Sequence, residues 1–161
     1  MLTIGRIMSW NPCKEYSRER IEELFAGRES LTPQEIAALS IPAVDRLWVL
    51  LREEILPKEV LHGLACDFAE RTLQLKRKVG REPHPAYWKA IEAKRAWMMG
   101  EIGEDELELA WYAPTRGAAP AARSAAYVAA KVAASYAAED AEREWQLARV
   151  VEVLPERRVA C

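Results

Sequence analysis

Apolar residues recur along this chain at helical spacing, and prolines, glycines and capping residues interrupt them at short intervals. Residues 14–26, after Pro12, predict a short helix with Ile21, Leu24 and Phe25 on one face and Gly27 as its stop. Thr32-Pro33-Gln34-Glu35 spells a capping box: the threonine hydroxyl accepts from a free backbone N–H, proline loses nothing at the first helical position, and the glutamate reaches back. Pro42 opens a helix carrying Leu47, Trp48, Leu50 and Leu51, with Asp45 suited to its N-terminal end. Pro57 opens another with Leu61, Leu64, Ala65 and Phe68 at core spacing, running toward Val79 and stopping near Gly80. Lys76, Arg77 and Lys78 fall in its last turn, where the helix dipole favours cations. After a loop marked by Pro83 and Pro85, a helix with Trp88, Ile91 and Trp97 ends near Gly100. Glu104, Asp105 and Glu106 then suit the first turn of a short helix ending before Pro114.

The clearest regularity lies at residues 121–140, which read A-A-R-S, A-A-Y-V, A-A-K-V, A-A-S-Y, A-A-E-D. Each step of four advances about 40° beyond a full helical turn, so the alanine pairs form a smooth ridge that winds slowly around the axis. Such a ridge admits a neighbouring helix closely, at crossings near about −50°. Val128, Val132 and Tyr136 form a bulkier row beside it, and Arg123, Lys131 and Glu139 a polar one. Trp145, Ala148, Val151 and Leu154 predict a final amphipathic segment. Together these elements predict an all-α fold. It is a compact multi-helix bundle over residues 1–161, with a helical N-terminal part at 12–113 and a long alanine-rich C-terminal helical region at 118–154.

Composition supports a globular chain, since half of the 161 residues are hydrophobic and 30% are charged. A net charge of −2 by itself implies neither a nucleic-acid nor a membrane partner. The most apolar long stretch, 118–138, carries Arg123 and Lys131 and draws its apolarity from alanine, which makes it a poor membrane span. Cys13, Cys66 and Cys161 are odd in number and widely spaced, so a reducing, cytoplasmic compartment is expected, and no basic segment with an apolar run marks a signal peptide.

Few residues combine into chemistry. His62 and Cys66 lie one turn apart, the spacing of a nucleophile with its base or of half a metal site, but further ligands are missing and His84 sits between two prolines. Asp67 and Arg71, with Glu70 beside them, read as a helix ion pair more simply than as acid–base machinery. No phosphate-cradling glycine loop or G-x-S-x-G elbow occurs. We therefore expect no catalytic residues, no metal and no cofactor. Two charged patches remain. Lys76, Arg77, Lys78 and Arg81, with Lys89, Lys94, Arg95, Tyr87 and Trp88, could meet phosphate, although a C-terminal charge cluster explains them more simply. Glu101, Glu104, Asp105, Glu106 and Glu108, followed by Trp111 and Tyr112, offer an acidic rim beside aromatics, the composition of a surface for a basic protein partner. Trp111, four residues after Leu107, is expected in the core, and Tyr112 shares the exposed edge of Glu108.

Three segments carry a family resemblance: Ser9-Trp10-Asn11-Pro12-Cys13, the run P-A-V-D-R-L-W-V-L-L-R-E-E at 42–54, and L-x-x-L-A-C-D-F-A-E-R at 61–71. With the alanine-rich second half, similar in style, they span most of the chain. The chain resembles a family of immunity proteins of bacteria and phages, the immunity protein five-like family. It departs in a shorter alanine region, interrupted by Pro114, Gly117 and Pro120. The resemblance implies a helical, non-enzymatic antitoxin-like inhibitor that binds and blocks a cognate toxin or nuclease. The alternative it leaves open is a phage-encoded inhibitor of a host defence such as a CRISPR nuclease. A nucleic-acid-binding regulator resting on the basic patch follows, and a helical enzyme using His62 and Cys66 comes last. The partner-binding residues expected are Glu101, Glu104, Asp105, Glu106, Glu108 and Tyr112.

If the alanine ridge packs against a neighbour, Ala129→Leu or Ala130→Leu overfills the contact. Each is expected to cost about 1–3 kcal/mol in urea unfolding, and unchanged midpoints for both would mean an exposed ridge.

Overall fold

Capping side chains or prolines open six of the eight described helices. A computed structural model gives the fold and describes residues 1–110, 125, 128 and 139–154. Strand β1 (Leu2–Thr3) leads into α1 (Ile4–Met8), followed by α2 (Arg18–Phe25), β2 (Ser30–Leu31), α3 (Pro33–Ala37) and α4 (Ala43–Leu50). Then come α5 (Lys58–Lys78), α6 (Pro85–Met98), α7 (Glu104–Ala110) and α8 (Glu139–Val153). The helical class is as the periodicity predicts. At α3 the Thr32 hydroxyl accepts from the Glu35 amide at 3.1 Å, and the Glu35 carboxylate accepts from the Thr32 amide at 2.8 Å, so the capping box closes from both sides.

Several boundaries differ from the sequence expectation. Helix α2 begins at Arg18 rather than near residue 14, because the Ser17 hydroxyl caps it by accepting from the Arg20 amide at 3.3 Å. Its left-handed cap is Ala26 (φ 49°), one residue before Gly27. Gly27 is left-handed as well (φ 77°), as are Gly80 and Gly100 (φ 77° and 73°); the last two let Arg81 and Glu101 donate back to the carbonyls of Lys76 and Ala96 and close the ends of α5 and α6. The antiparallel β1–β2 pair, Leu2 opposite Leu31 and Thr3 opposite Ser30, is too short to show an alternating pattern.

The long helix α5 stands at the centre with α6 on one side and α8 on the other. Leu61, Leu64 and Phe68 enter the main core with Phe25, Leu31, Ile36, Leu47, Leu50, Leu51, Leu56, Leu147 and Val150. Each such side chain contributes about 1.5–3 kcal/mol by leaving water. The opposite face of α5 builds a second, smaller cluster of Cys66, Leu73 and Ile91, with Ala69, Trp88 and Met98 against it. Helix α7 packs on α6. Of the repeat at 121–140, the described positions are Ala125, half-buried against the main core, Val128, which is exposed, and Glu139 and Asp140, which begin α8; its other residues, with Trp111 and Tyr112, lie outside the described residues.

Helix α8 corrects the predicted face. Ala148 and Val151 are exposed and Trp145 is half-buried, whereas Glu142, Gln146, Leu147 and Val150 are buried, with Leu154 beyond the helix end. Two polar residues thus occupy core positions, and hydrophobic periodicity cannot register them. The Glu142 side chain is 1% exposed. Its carboxylate accepts from Arg71 Nε at 3.1 Å and from Gln146 Nε2 at 3.3 Å. The Arg71 guanidinium lies 4.8 Å from the Trp145 ring centroid, and Phe68 meets the same ring edge to face.

Glu142→Ala should strand the Arg71 charge in a largely dry site and cost about 3–5 kcal/mol. Glu142→Leu combined with Arg71→Leu should recover most of that loss. A double variant as unstable as the single one in urea unfolding would show that the pair is not what holds α8.

Candidate functional site

The acidic residues emerge where sequence placed them. Glu101, Glu104, Asp105, Glu106 and Glu108 are all exposed, around the turn between α6 and α7 and along α7. Helix α7 starts after Gly103, whose amide donates to Glu106 Oε2 at 3.0 Å, and its first turn holds three carboxylates where the helix dipole favours them. Among the described residues none of the five forms an ion pair. Leu107 anchors α7 with 5% exposure, while Leu109, two positions on and so on the far side, is 89% exposed. Met99 at the end of α6 is 66% exposed. Sequence reasoning missed both apolar residues. The alternation Glu106-Leu107-Glu108-Leu109 contained the signal, because a helix cannot bury two leucines spaced i, i+2 on one face. Tyr112, the remaining expected member of this surface, lies outside the described residues.

The basic patch does not hold together. Arg77 is gripped by Glu82, with Nε to Oε2 at 3.0 Å and Nη2 to Oε1 at 2.7 Å, and stacks over Trp88. Arg95 turns inward to Asp67 at 3.1 Å and Glu70 at 2.7 Å. Lys94 lies 3.7 Å from the Trp97 ring centroid, where burial holds its ammonium below the usual lysine range. Lys78, Arg81, Lys89 and Tyr87 are exposed and Lys76 is partly covered.

The expected helix ion pair of Asp67 with Arg71 is replaced by partners far away in sequence. Asp67 Oδ1 accepts from Arg95 on α6, and its Oδ2 accepts from Arg149 on α8 at 2.8 Å. Arg71 goes to Glu142 instead. Asp45 sits in the first turn of α4, as expected, and accepts from the Tyr16 hydroxyl at 2.7 Å. Burial, and then that aspartate, push the Tyr16 hydroxyl well above the usual phenol range. Arg46 joins three helices by donating to the Ala37 carbonyl at 3.0 Å and to Glu144 at 2.8 Å.

His62 and Cys66 share the side of α5 that meets α6, without the features of a catalytic pair. Burial pushes the Cys66 thiol up, away from the reactive thiolate. His62 meets Trp97 edge to face at 5.5 Å, and its Nδ1 is buried without a hydrogen-bond partner. Among the described residues no group of three or more His, Cys, Asp or Glu side chains is placed to hold a metal ion. No described helix is long and apolar enough to cross a membrane.

The segments that carried the family resemblance meet in space. Trp10 and Trp48 cross edge to face at 6.2 Å, and the Arg52 guanidinium lies 4.1 Å from both ring centroids. This stack fastens the W-N-P-C turn to the end of α4, a structural role for residues that sequence gave no contact. No protein-family model, no curated protein and no solved structure matches this chain.

Cys13 is exposed and Cys66 buried. Native iodoacetamide labelling followed by peptide mass spectrometry should therefore modify Cys13 and spare Cys66 until denaturant is added. Comparable native labelling of both would contradict the burial of the second cluster.

Proposed function

We propose that this protein is a non-enzymatic inhibitor that binds a basic protein surface, such as that of a toxin or nuclease, through α7 and the turn before it. The observation that carries this reading is Leu109. A leucine 89% exposed, with Met99 at 66%, is surrounded in sequence by Glu101, Glu104, Asp105, Glu106 and Glu108. An apolar centre with a charged rim is the anatomy of a protein interface: the centre supplies affinity by desolvation, and the rim steers and orients a partner of opposite charge. The resemblance to immunity proteins points the same way and favours a toxin as the target, with a defence nuclease as the alternative in a phage. A nucleic-acid partner draws less support, because Arg77 and Arg95 already hold carboxylates.

Reversing Glu104, Asp105 and Glu108 to Lys should leave the fold intact and slow association with the partner, most at low salt and least at high salt, where screening has already removed the attraction. Leu109→Asp should act on dissociation instead, because it disturbs the desolvated centre. Reversal of Lys76, Arg77 and Lys78 should matter far less. Surface plasmon resonance against the partner captured from the native host reads all three. Binding that survives the acidic reversal and disappears with the basic one would overturn the assignment.

A further inference from the structure

Helices α5 and α6 run antiparallel, and among the described residues the buried apolar members of their contact are Cys66, Leu73 and Ile91. At the end nearest α7 the contact consists of His62 and Gly63 on α5 against Trp97 and Met98 on α6. His62 meets the Trp97 ring at right angles, and a side chain on Gly63 would touch the Met98 methyl. The Lys94 ammonium lies over the same indole at 3.7 Å. One tryptophan thus contacts both an imidazole and a lysine. We propose that His62, Trp97 and Lys94 form an acid-sensitive latch that holds α6, and α7 with it, onto α5 while the imidazole is neutral and releases them when it is protonated.

The geometry explains the sensitivity. Nδ1 of His62 is buried and has no hydrogen-bond partner. In the neutral ring it can remain a bare acceptor, but protonation makes it an N–H donor on a cation, buried without an acceptor. The charges around it do not compensate. From α6, Lys94 repels the imidazolium; Arg95 is occupied by Asp67 and Glu70. From α7, Glu104 acts on Lys94. Before and within α5, Glu53 and Lys58 approach each other to 4.0 Å and largely cancel, which leaves Glu59 as the opposing attraction, exposed and screened by solvent. Cys66, one turn along, is held as a neutral thiol by burial. From α8, Glu142 and Arg149 are engaged with Arg71 and Asp67.

Desolvation first, and Lys94 second, hold the His62 imidazolium below its ordinary value of 6.5. Between that value and the lower folded one, the open or unfolded chain binds more protons than the closed chain, so closure weakens as pH falls through this window and is fully present above it. The latch stands independently of whether α7 is the partner surface.

The test follows the His62 Hε1 resonance by NMR from pH 8 to 5, together with amide protection factors in α6 corrected for intrinsic exchange. The expected result is a His62 midpoint below 6.5 and a loss of α6 protection over the same range. The loss should be roughly tenfold for each unit by which the midpoint lies below the ordinary value. Lys94→Met should move the midpoint up, Glu59→Gln should move it down, and His84→Ala should leave it in place. His62→Gln should abolish the pH dependence; if that variant does not fold, the wild type and Lys94→Met still decide. A midpoint at or above 6.5, α6 protection that stays constant through the titration, or a midpoint unmoved by Lys94→Met would each overturn the latch.

Discussion

Burying a carboxylate without a partner costs several kcal/mol, so a helix that places Glu142 at 1% exposure can dock in only a few ways. Arg71 has to face it from α5, Gln146 has to lie one turn along to donate a second hydrogen bond, and Trp145 has to cover the guanidinium. These requirements fix the rotation and register of α8 on α5 more tightly than Leu147 and Val150 alone would, since apolar contacts tolerate sliding and a charged pair does not. On the same helix, Asp67 extends the arrangement by offering one oxygen to Arg95 of α6 and the other to Arg149 of α8. The three long helices are therefore indexed to one another by a polar seam along one side of α5. The main core supplies most of the stability, and the seam decides which packing that stability rewards.

The two sides of α5 are not equally secured. Toward α8 and the N-terminal helices lies the large apolar cluster with Phe25 and Phe68 almost fully buried. Toward α6 the described residues place the buried Cys66, Leu73 and Ile91, the ion pairs of Arg95, and the His62–Trp97–Lys94 contact. Among the described residues α6 and α7 have fewer buried apolar contacts and more exposed polar ones than the remainder of the fold, the pattern that goes with local opening at lower free energy. The exposed apolar residues Met99 and Leu109 belong to this same arm. The proposed binding surface, if carried on this arm, could adjust to a partner without disturbing the core.

What was legible in the sequence was what is decided locally. The capping box at Thr32, the prolines before α4 and α5, and the glycine closures at 80 and 100 depend on neighbours a few residues away, and the pattern displays them. The face of α8 depends on Arg71, 71 residues distant, and the buried Glu142 and Gln146 look like solvent-facing residues in any periodicity count. Asp67 and Arg71 show the same failure from the other side: the i, i+4 spacing is ideal, yet Arg71 pairs with the buried Glu142 of α8, and Asp67 divides its two oxygens between Arg95 of α6 and Arg149 of α8. At the proposed site the carboxylates were readable because exposed acids are the ordinary outcome. Which of Leu107 and Leu109 would be left in water was not, since that choice belongs to the docking of α7 on α6.

Charge placement separates what folding uses from what it leaves over. Lys76, Arg77 and Lys78 complete the C-terminal end of α5, and Arg77 closes onto Glu82, so the basic cluster is accounted for by its own helix. Glu104, Asp105 and Glu106 are likewise favoured in the first turn of α7. Glu108 is different. It stands in the last turn of α7, where the helix dipole disfavours an anion, no described cation pairs with it, and its neighbour Leu109 is left in water. Each departs from the local rule by a modest amount, and they are adjacent. The contacts of the described residues give no folding reason to keep a carboxylate and a leucine in those positions. The proposed encounter with a basic surface carrying an apolar contact would give a reason for both: in such a complex the carboxylate would gain a cationic partner and the leucine would leave water.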